Sequence, residues 1–164
     1  MNIPDIPAER RVIAFVNYDY WYLSNIQAFG RPPDLYTWKK DLDNRFDSQD
    51  IYFYAPFPSM RIRKELPKIR AVTNKLIETW NHPLADDKEM TDRIMLDHCF
   101  QASRSAGMPN TFLLVTKANI FQPLVSYLKQ QNKTVIIQGV HRHMNPWLCE
   151  TATQVQELPP MYAR

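Results

Sequence analysis

Phe112–Phe121 reads FLLVTKANIF. Four apolar residues, Phe112 to Val115, reach Thr116, then Lys117-Ala118-Asn119, and a new apolar pattern opens at Ile120. A short apolar run bounded by polar residues reads as a buried strand when others like it recur along the chain. They do. RVIAFVN (Arg11–Asn17), DIYFYAPF (Asp50–Phe57) and KTVIIQGV (Lys133–Val140) repeat the pattern, and TFLLVT (Thr111–Thr116) completes the set. Near-continuous apolar runs are what parallel strands covered on both faces require.

Helical spacing fills the intervals. YDYWYLSNIQAF stops at Gly30, and Asp34 precedes LYTWKKDLDNRF, in which Leu35, Trp38, Leu42 and Phe46 share a face. Pro67 breaks SMRIRKELPKIR, and from Lys68 the pattern is helical or stays extended to Val72. NHPLADD (Asn81–Asp87) is a polar loop. KEMTDRIMLDHCFQASRSAG reads as a helix with Ile94, Met95, Cys99 and Ala102 on one face and Gly107 at its end. ANIFQPLVSYLKQQN is a helix with Phe121, Leu124, Val125 and Leu128 inward. MNPWLCETA predicts a short helix, and TQVQELP a last edge strand. Strands alternating with helices mean an α/β fold, with a mostly parallel central sheet flanked by helices.

The bulk properties bound the function. The chain has 164 residues, 45% of them hydrophobic and 23% charged, which suits one globular domain with a sizeable core. The domain is expected over residues 11–158, with tails at 1–10 and 159–164. No apolar run approaches the ~18 residues of a membrane span. MNIPDIPAERR lacks the apolar core of a signal peptide, so the expectation is a cytoplasmic protein with no membrane partner. Cys99 and Cys149 stand far apart and read as reduced thiols. A net charge of +3 permits a polyanion partner without demanding one.

In parallel α/β sheets, ligands bind outside the carboxyl ends of the strands. The residues to examine are therefore Asn17 to Tyr20, Phe57 to Arg63, Thr116 to Asn119, and the start of the helix that carries Asp92.

At these positions FVNYDYWYLS resembles the first motif of NYN domains, a branch of the PIN-like ribonuclease superfamily. ELPKIRAVTN and MTDRIMLDHCFQ are similar to segments of the bacterial group. FLLVTKANIFQPLVSYLKQQNKTVIIQGV resembles its last long motif, and LCETATQVQEL its final helix and strand. The resemblance spans roughly residues 11 to 158 and implies a PIN-like three-layer fold. It implies acids from separate chain ends that hold Mg²⁺ or Mn²⁺, which activates water to cut RNA. A hard cation needs oxygen ligands, and carboxylates offset its charge.

Position by position, the family's first aspartate falls on Asn17 and its nearby asparagine on Tyr20. The helix aspartate matches Asp92, and the Gly-Asp pair falls on Lys117 and Ala118. Of three expected acids only Asp92 is present. The resemblance then implies a degenerate site with no metal or other cofactor, in which the Lys117 ammonium pairs with Asp92. Tyr20 is expected to fill the pocket. The rival reading is an active Mg²⁺- or Mn²⁺-dependent ribonuclease that recruits Asp19 and Asp97. Asp97 stands five positions after Asp92, ~140° off its face. Asp19 is either a ligand or a helix N-cap.

Without metal chemistry, the function is expected to be binding of RNA or of a protein partner, a second copy of the chain included. Arg61, Arg63, Lys64, Lys68 and Arg70 follow a strand end and suit RNA backbone contacts, with Tyr52, Tyr54 and Phe57 near for base stacking. The bland alternative is a solvated charged face. Arg142, between His141 and His143, either lines an RNA path or sits in an ordinary basic loop. In the cluster Tyr18, Tyr20, Trp21, Tyr22, some rings are expected to remain exposed, while Trp21 and Leu23 pack inward. His98 and Cys99 point ~100° apart on a helix and read as packing residues.

Overall fold

The structure, a computed structural model, describes residues 8–79 and 90–158. Six strands form a wholly parallel sheet in the order β3-β2-β1-β4-β5-β6. They are β1 (Arg11–Asn17), β2 (Ser48–Ala55), β3 (Lys75–Glu78), β4 (Thr111–Val115), β5 (Thr134–Gly139) and β6 (Gln154–Glu157). The helices are α1 (Tyr18–Phe29), α2 (Leu35–Arg45), α3 (Met60–Arg63), α4 (Leu66–Arg70), α5 (Met90–Ser103), α6 (Gln122–Gln130) and α7 (Pro146–Thr151). No helix among the described residues is long and apolar enough to cross a membrane.

Alternation along β1 separates two cores. Val12, Ala14 and Val16 face a layer that includes Trp21, Trp38, Leu42, Ile62 and Ile69, from α1 to α4. Ile13 and Phe15 face Met95, Cys99, Leu124, Val125 and Leu148, from α5 to α7. The result is a three-layer α/β fold. On the first face, Trp21 and Trp38 meet edge-on at 5.5 Å, and Trp38 meets Phe53 at 5.8 Å. Such pairs add about 0.5–1.5 kcal/mol each beyond burial. Trp38 Nε1 donates to Gln138 Oε1 at 2.8 Å, so the one polar atom of this ring is satisfied within the core.

Gly30, at φ 70°, closes α1 in the left-handed conformation that glycine adopts freely, and its N–H donates to Ile26 O. Asp34 caps α2 through Thr37 N at 3.1 Å. Pro67 does divide its segment, leaving α3 and α4 as two short pieces.

Three expectations are corrected. The residues after Val72 do not continue as helix: KLIE forms the edge strand β3, paired with Tyr52–Ala55. Helical spacing failed there because an edge strand of four residues carries too few positions to show a period. The helix expected to end at Gly107 stops at Ser103, four residues before the glycine takes φ 77°. The four aromatic rings after β1 are all buried, whereas Leu23 is exposed. The loop expected at Asn81–Asp87 lies outside the described residues.

Candidate functional site

The chain runs from β1 outward to β2 and β3, then returns to place β4 on the opposite side of β1. This reversal opens a crevice at the carboxyl ends of β1 and β4, where parallel α/β sheets bind ligands. Asn17 ends β1 and Thr116 follows β4. Asn17 continues the Ile13–Phe15 alternation, so it faces α5. Thr91, Met95 and Cys99 anchor α5 on the sheet, and the Thr91 and Thr79 hydroxyls meet at 2.8 Å. The first turn of α5 thereby holds Asp92 over the crevice.

Asp92 Oδ1 accepts Asn17 Nδ2 at 2.8 Å and Thr116 Oγ1 at 2.8 Å. The other end of the Asn17 amide is also committed. Its Oδ1 accepts the backbone N–H of Tyr20 at 3.0 Å, capping α1. These two bonds fix the amide's orientation, because Tyr20 N–H requires an oxygen and the carboxylate requires a donor. Asn17 is only 4% exposed. It presents hydrogens, not a lone pair, toward Asp92. Thr116 Oγ1 also accepts Ala118 N–H at 3.0 Å, which holds its rotor toward the carboxylate.

Tyr20 closes the crevice from the side. Its hydroxyl donates to His143 O at 2.7 Å and accepts Val140 N–H at 3.0 Å. Burial pushes its phenol up to about 12, against the opposing pull of the Val140 N–H. Gly139 is required beneath it: a Cβ there would sit 2.9 Å from the Tyr20 hydroxyl and 2.8 Å from Met144 Cγ. Tyr20 is thus held against the end of β5 by both bonds of its hydroxyl.

Asp19, Asp97 and Lys117 do not gather on Asp92. Asp19 is not the cap of α1; it lies in the first turn and pairs with Arg61 at 2.8 Å. Asp97 is exposed and accepts Gln101 Nε2 at 3.0 Å, in keeping with its ~140° offset from Asp92. The expected Lys117–Asp92 ion pair does not form: Lys117 is exposed, and its Nζ lies over the Tyr20 ring at 5.8 Å from the centroid. Ala118 contributes its backbone N–H to Thr116 rather than a side-chain ligand. Among the described residues, no group of three or more His, Cys, Asp or Glu is placed to hold a metal ion.

The basic segment follows β2 as α3 and α4, at the same edge of the sheet. Two of its five cations are paired: Arg61 with Asp19, and Lys68 with Glu65 at 2.8 Å. Glu65 is a buried acid that also accepts Tyr18 Oη at 2.6 Å, and burial with this bond pushes the Tyr18 phenol up. Arg63, Lys64 and Arg70 are exposed and form no ion pair among the described residues. The expected stacking rings are not available beside them. Tyr54 and Phe57 are buried, and Tyr52 stacks on Phe15 at 5.6 Å beneath the Lys75 ammonium. Arg142 is exposed after β5 at φ 68°, three strands from β2, so a ligand touching both spans ~14 Å across the crevice. His141 pairs with Glu157 at 2.7 Å. Cys99 is fully buried and its thiol is pushed up by burial, while His98 Nδ1 bonds Tyr54 Oη at 3.0 Å, so neither presents a nucleophile.

Sequence reasoning missed Thr116 as a partner of Asp92; its place one residue past a strand end was the signal. It also missed Trp147, which is 63% exposed on α7. Asn145 ties that helix to the loop after β4 through Lys117 O at 3.0 Å.

No family model and no curated protein matches the chain. Among solved structures it is similar to a crystal structure of a protein of unknown function from Vibrio parahaemolyticus. The identity is 14%, with TM-score 0.76 over 94% of this chain and 96% of that one. At that identity the likeness is one of fold.

Proposed function

We propose that the chain is a NYN-type, PIN-like domain whose cation site is closed by its own hydrogen bonds, and that it binds single-stranded RNA without cutting it. One observation carries this reading. Asp92 Oδ1 takes both the Asn17 amide and the Thr116 hydroxyl, and the Asn17 oxygen is held by the Tyr20 N–H. Seating a divalent cation there would require the amide to turn, breaking a buried cap and a charge-assisted bond, at about 1–3 kcal/mol each. Asn17 and Thr116 satisfy Asp92 Oδ1 as hydrogen-bond donors without generating an activated water. Neither Mg²⁺ nor Mn²⁺ is needed for the resulting function.

Binding is supported by the open cations. Arg63, Lys64 and Arg70 stand exposed beside the crevice, and each phosphate neutralised on a single strand contributes a salt slope of about −0.7. The test is incubation of the purified chain with labelled single-stranded RNA and Mn²⁺, followed by a mobility shift and a denaturing gel. Retained, intact RNA is expected. Cleavage would overturn the non-cutting half, and failure to retain RNA would overturn the binding half in favour of a protein partner.

A further inference from the structure

A second surface stands apart from the crevice. Between α2 and α4 lies a groove of about 690 Å³, within the roughly 300–1,000 Å³ of ligand pockets. Its floor is apolar, with Pro33, Leu35 and Val72, and its rim is cationic, with Arg31, Lys39, Lys40 and Lys68. The two acids that line it are already engaged. Asp34 accepts Thr37 N and Thr37 Oγ1, and Asp43 accepts Lys39 and Gln49. Lys68 is paired with Glu65. Arg31 and Lys40 are left without an ion-pair partner among the described residues.

Tyr36, at the mouth of the same groove, is 74% exposed. A tyrosine ring turned to water beside an apolar floor offers a π-face, and uncompensated cations nearby offer phosphate contacts. That combination is how proteins hold single strands without reading their sequence. The parts are also preorganised. Gly30 turns the chain sharply, and the Arg31 carbonyl accepts buried Asn25 Nδ2 at 2.8 Å, which fixes the loop that carries Arg31. Because Asp34 occupies the N-terminus of α2, an anion would be held by Arg31 and Lys40 and not by that helix end.

We infer that this groove is an RNA-binding site in which a base stacks on Tyr36 and the adjoining phosphates pair with Arg31 and Lys40. Lys68 belongs both to the groove and to the α3–α4 basic segment, so one strand can run from Arg63 and Lys64 into the groove. The inference rests on the RNA-binding reading and extends the path beyond the crevice.

Fluorescence anisotropy with a labelled oligouridine of about 15 nucleotides, the upper range of single-strand site sizes, tests it. Tyr36→Ala is expected to weaken binding about tenfold, and Tyr36→Phe to retain it. Arg31→Ala with Lys40→Ala is expected to lower the salt slope by about 1.4. Matched melting curves establish that these exposed substitutions leave the fold intact. If Arg63→Ala with Lys64→Ala weakens binding and the groove variants do not, the groove inference falls while RNA binding stands. If the wild-type chain binds no oligouridine, both fall. Retention of polyglutamate in place of RNA, lost in the Arg31/Lys40 variant, would overturn the RNA assignment in favour of an acidic peptide.

Discussion

Two regions at the carboxyl edge of the sheet handle charge in opposite ways. At the ends of β1 and β4, Asp92 Oδ1 accepts an amide and a hydroxyl, and the Tyr20 hydroxyl nearby is tied to the loop after β5. After β2, Arg63, Lys64 and Arg70 stand exposed and form no ion pair among the described residues. The first arrangement is closed and contributes to stability. The second is open and leaves charge for a ligand. A partly buried acid is therefore a poor guide to function until its partners are counted, because the same carboxylate can face a cation or neutral hydrogen-bond donors.

The comparison breaks most sharply at Asn17. Asn17→Asp keeps an N-cap for α1 but sets two carboxylates at hydrogen-bond distance, one buried and one partly buried. Without a cation, the pair is expected to lower stability by several kcal/mol near neutral pH, on the order of a broken buried ion pair. Two like charges raise one carboxyl's pKa above its unfolded value. The folded state then holds a shared proton at low pH and loses stability as pH rises. Melting is expected at lower temperature at pH 8 than at pH 5, with Mn²⁺ restoring part of the loss at pH 8. Equal melting at both pH values would argue against the contact.

Tyr20 sharpens the closed side. Tyr20→Phe leaves Val140 N–H without its acceptor and is expected to cost about 1–3 kcal/mol in denaturant unfolding. The raised phenol adds a pH signature. Its contribution is fully present below about pH 10, the unfolded value, and is lost as pH climbs through about 12. The variant is expected to show a shallower alkaline decline than the wild type. Gly139→Ala is expected to destabilise by about 1–3 kcal/mol and to be partly rescued by Tyr20→Phe, which removes the atom 2.9 Å from the new Cβ.

On the open side, Arg63→Ala with Lys64→Ala is expected to weaken RNA binding and lower the salt slope by about 1.4. Arg61→Ala is expected to do less, because that guanidinium is already paired with Asp19. The smallest effect belongs to Asp97→Ala, expected to shift stability by no more than about 0.5 kcal/mol and to leave RNA binding unchanged.

Much of the fold was legible because buried parallel strands carry near-continuous apolar runs, as RVIAFVN, TFLLV and TVIIQG do. The edge strand Lys75–Glu78 was not, because half-exposed residues carry neither a run nor a period. At the site, the off-face position of Asp97 followed from helical geometry alone. The role of Asn17 as the cap of α1, in place of Asp19, did not. Both residues suit that role, and only the path of the chain out of β1 decides between them. Lys117 misled for a related reason: position beside an acid suggested an ion pair, but the Asn17 and Thr116 donors reach Asp92 through shorter side chains. The groove beside Tyr36 joins α2 to α4 across separate segments, so no single motif announces it.

Calorimetric titration of the wild-type chain with Mn²⁺ bears most directly on whether Asp92 is held by protein groups or by an ion. The expected result is no stoichiometric binding. One Mn²⁺ bound per chain at micromolar affinity, and lost in Asp92→Asn, would contradict it.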